Sequence, residues 1–143
     1  VRLLTNVLQV LVTILARWNY FNTGDPFSEW HRQYEGLAFI DIDFVEICKK
    51  CKDVLAVGET AVYKGHYDKK FRITQRVAES LKVLGFLIFY ELNNENKIVK
   101  FRYRIINPVR DHNYHILEPN QFVKMLHELH LSHEKFNCKR SKK

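Results

Sequence analysis

The spacing of apolar and polar positions changes several times along the chain, and each change marks an element. Over residues 1–20 the polar positions Asn6, Gln9 and Thr13 recur at steps of three and four. That spacing leaves one polar stripe on an otherwise apolar helix. The turn residues Asn22-Thr23-Gly24-Asp25-Pro26 end it. Ser28 is the expected cap of a short second helix that runs through Trp30 and Tyr34 to Gly36. Residues 37–47 alternate, with Ile40, Ile42 and Phe44 against Asp41, Asp43 and Val45, the period of a strand. After a polar turn at 49–53, residues 54–63 form a second strand, and the short connection makes the two an antiparallel hairpin.

A polar loop over 65–70 leads to a helix expected at 73–84, with Val77, Leu81 and Leu84 on one face and Gly85 at its end. Residues 86–92 are a continuous apolar run of strand length, the pattern of a strand buried on both faces. A turn at 93–96 precedes a strand at 98–106, where Phe101, Tyr103 and Ile105 alternate with Arg102 and Arg104. Pro119 opens a last helix, expected at 120–134. This order is that of an α/β (α+β) domain, a mixed central sheet flanked by helices. No repeat or linker divides it, so residues 1–143 read as a single domain ending in a basic tail over 136–143.

The chain of 143 residues suits one hydrophobic core, and its ten Phe and seven Tyr argue for a packed one. The formal charge of +7 favours polyanionic partners, although the tail Lys139-Arg140-Ser141-Lys142-Lys143 contributes much of the excess and can be a solvated end. Three cysteines are an odd number, which fits a reducing, cytoplasmic setting better than a disulfide framework. The apolar segment 3–16 is too short to span a bilayer comfortably, so no membrane role is expected.

The hairpin carries the chemistry. Asp41 and Asp43 are two apart and would share a strand face, and Glu59 lies in the middle of the next strand. Carboxylates in apolar strands are costly unless paired or used. Brought together they repel, should raise at least one pKa, and call for a compensating cation. Mg²⁺ or Mn²⁺ takes such oxygen ligands and can activate water for attack on a phosphate.

The runs Phe39-Ile40-Asp41-Ile42-Asp43-Phe44-Val45-Glu46 and Val54-Leu55-Ala56-Val57-Gly58-Glu59 resemble the paired strands of PD-(D/E)XK nucleases, the restriction-endonuclease-like group, especially small phage-type members. The resemblance continues through Ile73–Leu81, Phe86–Tyr90, Phe101–Pro108 and the last helix, and covers about residues 28 to 130. It implies a metal-dependent nuclease, acting on DNA ahead of RNA in an infected or microbial host cell. Self-association stays open. Asp43 and Glu59 would hold the metal, Asp41 would bind or tune it, and Glu29 or Glu35 could add an acid from the preceding helix. The family's lysine, two residues after the second acid, is replaced here by Ala61. Lys69 or Lys70 from the loop is the first choice for a migrated amine, with Lys82 a further source, and Gln75 is another catalytic candidate. Lys69, Lys70, Arg72, Arg76 and Arg102 would contact phosphates. The missing lysine keeps a second reading open: a catalytically silent relative that binds nucleic acid or a host protein, in an anti-defence or structural role.

Cys48-Lys49-Lys50-Cys51 is a CxxC at the hairpin turn and can supply half of a tetrahedral Zn²⁺ site. His130, His133 and Cys138 could complete it only if the C-terminal segment folds back. The alternative is a pair of reduced thiols at a strand end. His112, His115, His127 and His130 are scattered, although His127 and His130 can share a helix face. No Gly-rich phosphate loop appears.

Overall fold

The computed structural model describes residues 26–36 and 41–139. The chain divides into two compact units, Val1–Asp41 and Ile42–Lys143. The helix expected at 1–20 lies outside the described residues.

In the first unit, helix α1 spans Pro26–Arg32. It starts at Pro26, ahead of the expected cap Ser28, because the fixed φ of proline suits a first helical turn and the missing N–H costs nothing there. Phe27 and Trp30 lie with ring centroids 5.6 Å apart, and Trp30 and Tyr34 5.1 Å apart. Gly36 follows at φ +80°, a left-handed position that ends the segment.

The second unit is α+β. Strands β1 (Phe44–Ile47), β2 (Val54–Val62), β3 (Leu84–Leu92), β4 (Ile98–Asn107) and β5 (His115–Leu117) form one mixed sheet in the order β1-β2-β3-β4-β5. The hairpin forms as expected, with β1 antiparallel to β2 in the register Phe44↔Gly58 and Val45↔Val57. β2 and β3 are parallel, with Glu59 opposite Leu87, and helix α2 (Arg72–Leu81) makes the crossover. β3 is the central strand, and the remaining pairs are antiparallel. Helix α3 spans Pro119–Phe136 and opens with Pro119 and a capping box between Glu118 and Gln121. The short strand β5 has no counterpart in the periodicity.

Alternation along β3 divides the core between two faces. Phe86 and Ile88 pack with Ala56 and with Phe122, Met125, Leu126 and Leu129 of α3. Leu87 and Phe89 pack with Ile106, Ala61, Tyr63, Phe71 and Tyr114 on the face that α2 covers. β3 is thus buried on both sides, as its continuous apolar run predicts.

Helix α2 departs from expectation in two ways. It stops at Lys82, which takes the left-handed conformation at φ 56° and donates its N–H to the Ala78 and Glu79 carbonyls. Gly85 therefore lies inside β3 and does not terminate the helix. Its role is clearance, since a Cβ there would stand 3.0 Å from Ile106 Cγ1 and 3.1 Å from Ala78 Cβ. The inward face of α2 is also not the expected leucine face. Thr74 and Ala78 are the buried residues, while Leu81 is half exposed. Small side chains let the helix approach the sheet closely, and that closeness puts a hydroxyl within reach of β2.

Gly58 is the tighter constraint, because a Cβ there would come within 2.5 Å of the Phe86 carbonyl oxygen. Overpacking of this kind costs about 1–3 kcal/mol or more. Gly58→Ala is therefore expected to lower the unfolding free energy by that amount, read as a lower urea midpoint with an unchanged slope, and by more than Gly85→Ala does. Equal stability of wild type and Gly58→Ala would show that β2 and β3 are farther apart than described here.

Candidate functional site

Glu59 is the most buried acid of the described residues, at 6% relative exposure. Strand parity points it to the α2 face, between Val57 and Ala61. Two groups answer its charge. The Thr74 hydroxyl of α2 donates to Glu59 Oε1, and the Lys69 ammonium stands 3.4 Å from Glu59 Oε2. The same ammonium is 2.7 Å from Asp43 Oδ2.

Asp43 is not on a strand. It immediately precedes β1, and its Oδ2 also accepts the Thr60 backbone N–H at 3.1 Å. β1 begins at Phe44, so the carboxylate takes over the hydrogen bond that a longer strand would supply to β2. Asp43, Glu59 and Lys69 thus converge from the start of β1, the middle of β2 and the loop before α2.

The electrostatics correct one expectation. Burial pulls the Asp43 carboxyl upward, but the hydrogen bond from Lys69, that from Thr60 and the lysine's charge outweigh it, and the pKa lies below the ordinary 3.8. Burial likewise opposes the charged form of Lys69, yet its contacts with Asp43 and Glu59 hold its pKa above 10.5. Like-charge repulsion raises no pKa at Asp43, because the ammonium already sits against both acids.

The remaining predicted residues divide. Ala61 packs in the α2-side core, and Lys69 stands where the acids need an amine. Lys70, Arg72 and Arg76 are exposed, the two arginines one turn apart on α2. Gln75 is not directed at the acids, since its side-chain amide donates to the Ile106 carbonyl at 2.6 Å. Arg102 is engaged by Glu91 at 3.3 Å and Tyr67 at 3.3 Å, and lies 4.1 Å from the centroid of the Tyr63 ring. That leaves little of its guanidinium for a phosphate. Asp41 is an exposed residue at the end of the first unit, and Glu35 of that unit is exposed. Lys82 caps α2 through its backbone, and its exposed side chain makes no contact with the acids. Thr74 is the residue that sequence reasoning missed. A threonine on the inward face of a helix facing an acidic strand is the signal that could have found it.

A second cluster lies at the hairpin turn. Cys48, Cys51, His133 and Cys138 bring one ligand atom each to within 4.8 Å of all the others, an arrangement that can hold a metal ion. The C-terminal segment does fold back, but His130 is not part of the cluster and pairs with Glu46 at 2.5 Å. The cysteines form no disulfide. Desolvation, with hydrogen bonding among the neighbouring thiols, pushes the Cys51 thiol up to about 12.

No family model, curated protein or solved structure matches the chain. No helix among the described residues is long and apolar enough to cross a membrane.

The sign of the Asp43 and Lys69 shifts defines a pH window. The depressed Asp43 pKa contributes stability above pH 3.8, and that contribution is lost as pH falls through the lower folded value. The raised Lys69 pKa contributes below pH 10.5 and is lost as pH climbs through the higher folded value. Carboxyl-detected NMR titration should place the Asp43 midpoint below 3.8 and show it rising in Lys69→Met, where burial acts with less opposition. An Asp43 midpoint that ignores Lys69→Met would mean that the pair does not form in solution.

Proposed function

We propose that the second unit is a metal-dependent phosphodiesterase of the restriction-endonuclease-like, PD-(D/E)XK type, acting on nucleic acid, with DNA ahead of RNA. One observation carries the reading: a single lysine ammonium touches acids from both strands of the hairpin. The family's usual lysine position is Ala61, and Lys69 supplies the missing charge from the neighbouring loop.

Asp43, Glu59 and Lys69 together carry one net negative charge, which suits a divalent cation. Mg²⁺ or Mn²⁺ would be held by the Asp43 and Glu59 carboxylates, the oxygen donors such ions take. When bound it would supply activation of water and neutralisation of charge building on the phosphate. The protein's own groups do the positioning. Thr74 holds Glu59 Oε1, which fixes the carboxylate's orientation. Lys69, with three N–H donors, can keep one on Asp43 and turn another toward a water or a phosphate oxygen. Arg72 and Arg76 offer exposed charge for the nucleic-acid backbone. Zn²⁺ is the cofactor we assign to the separate Cys48, Cys51, His133 and Cys138 cluster, whose soft donors suit it better than Mg²⁺.

The test is cleavage of plasmid, linear and single-stranded DNA and of RNA with Mg²⁺, Mn²⁺ or EDTA. The expected result is metal-dependent cleavage that falls about 10²-fold or more in Asp43→Ala, Glu59→Gln and Lys69→Ala, the scale of losing an acid–base group. Lys70→Ala should change it far less. No cleavage by wild type, with intact folding and tight nucleic-acid or protein binding, would select the silent reading, in which Lys69 neutralises the acids permanently.

A further inference from the structure

The four-residue cluster at the hairpin turn is built unlike a chance gathering of thiols. We infer that Cys48, Cys51, His133 and Cys138 form a closed structural Zn²⁺ centre that clamps the C-terminal end of α3 to the β1–β2 turn. The inference deepens the zinc assignment above and is independent of the acidic site, with which it shares no residue.

The geometry meets the demands of zinc. Tetrahedral Zn²⁺ with Zn–S of about 2.3 Å and Zn–N of about 2.0–2.1 Å sets sulfur atoms about 3.8 Å apart and sulfur about 3.6 Å from nitrogen. Cys48 Sγ and Cys138 Sγ are 3.9 Å apart, and Cys51 Sγ is 3.2 Å from His133 Nε2. Small movements would bring both pairs to the edges of one tetrahedron. The set is three sulfurs and one imidazole, soft donors that select zinc over magnesium or calcium. Four protein ligands fill the shell and leave no open position, which marks a structural site and not a catalytic one.

Both halves of the set are shaped in advance by the backbone. The CxxC turn is closed by Cys48 N–H to Asp53 carbonyl and Lys52 N–H to Cys48 carbonyl bonds, each 2.9 Å, with Lys52 in the left-handed region at φ 66°. At the other end α3 gives out at Phe136, and the Cys138 N–H returns to the His133 carbonyl at 2.8 Å. That turn presents the imidazole and the thiol on the same side. Cys48 and Cys138 are buried at 1% and 0% exposure, so a bound ion would be shielded from solvent.

Electrostatics agree. Three thiolates, a neutral imidazole and Zn²⁺ leave one net negative charge, and Lys49, Lys50, Lys52 and Lys139 flank the ligands in sequence. The consequence is mechanical. Residues 48–51 and 133–138 are joined otherwise by modest contacts, such as the Lys50–Glu134 ion pair at 3.2 Å, with Leu55 and Leu129 packed beside them. A zinc ion ties them through four bonds, and its binding free energy becomes folding free energy for the hairpin and the last helix.

Metal analysis of the full chain, purified without chelator, should find about one equivalent of zinc. Replacement by Co²⁺ should give the strong visible absorption of a four-coordinate ion and a near-ultraviolet thiolate charge-transfer band. Cys138→Ser should lose the metal and lower the melting temperature, while the Asp43→Ala Glu59→Gln double variant should keep its zinc. Retention by that double variant separates this site from the acidic one, whatever the outcome for cleavage. If Cys138→Ser does not fold, the wild-type Co²⁺ spectrum decides. A metal-free wild type that takes up Co²⁺ with only the weak absorption of a six-coordinate ion would overturn the inference. So would zinc lost from the acidic double variant but retained in Cys138→Ser.

Discussion

Glu59 stands in the middle of β2 with Val57 and Ala61 beside it on the same face and Leu87 opposite it on β3. A carboxylate in that place is several kcal/mol too costly unless hydrogen bonds and a positive charge answer it. The surrounding structure is arranged to do so. Helix α2 comes close because Gly85 and Ala78 leave room, and its Thr74 reaches Oε1. The loop before α2 carries Lys69 back over the sheet to Oε2. Asp43 shares that lysine and caps the free edge of β2 at Thr60. The close helix packing, the loop path and the start of β1 at Phe44 all place a partner for one acid lodged in mid-strand.

The hairpin links the two clusters. β1 has Asp43 before its first residue and Cys48 after its last, so one four-residue strand separates the acidic site from the thiol cluster. A one-residue slip in its pairing would invert every side chain in it. Holding the 48–53 turn to α3 opposes such a slip, and the ladder transmits the register to Asp43. A metal clamp at the turn would therefore serve the geometry of the acids without taking part in chemistry.

Much of this was legible in the residues, and the losses have physical causes. The hairpin, the doubly buried β3 and the proline-started last helix follow from period, turn chemistry and composition. Ala61 leaves the Glu59 face without an amine, which makes Lys69 a candidate from the residues alone. The expected first strand includes Asp41 and Asp43, which are not in β1, since alternation looks like a strand whether or not the chain pairs there, and its positions 37–40 lie outside the described residues. Gly85 looked like a helix stop, but its clearance against Ile106 is a long-range fact that no local pattern carries. Thr74 escaped for the same reason. The thiol and imidazole cluster is half visible: CxxC is local, whereas the return of His133 and Cys138 depends on how α3 lies along the sheet.

The central claim is that Asp43 and Glu59, held by Lys69 and Thr74, form a seat for a divalent cation. Crystals soaked in Mn²⁺ and measured at the manganese edge test it most directly. The account predicts one anomalous peak within coordination distance of both carboxylates, with the Lys69 ammonium still on Asp43 and turned away from Glu59. A map with no manganese at these acids and Lys69 still bridging them at saturating Mn²⁺ would contradict it.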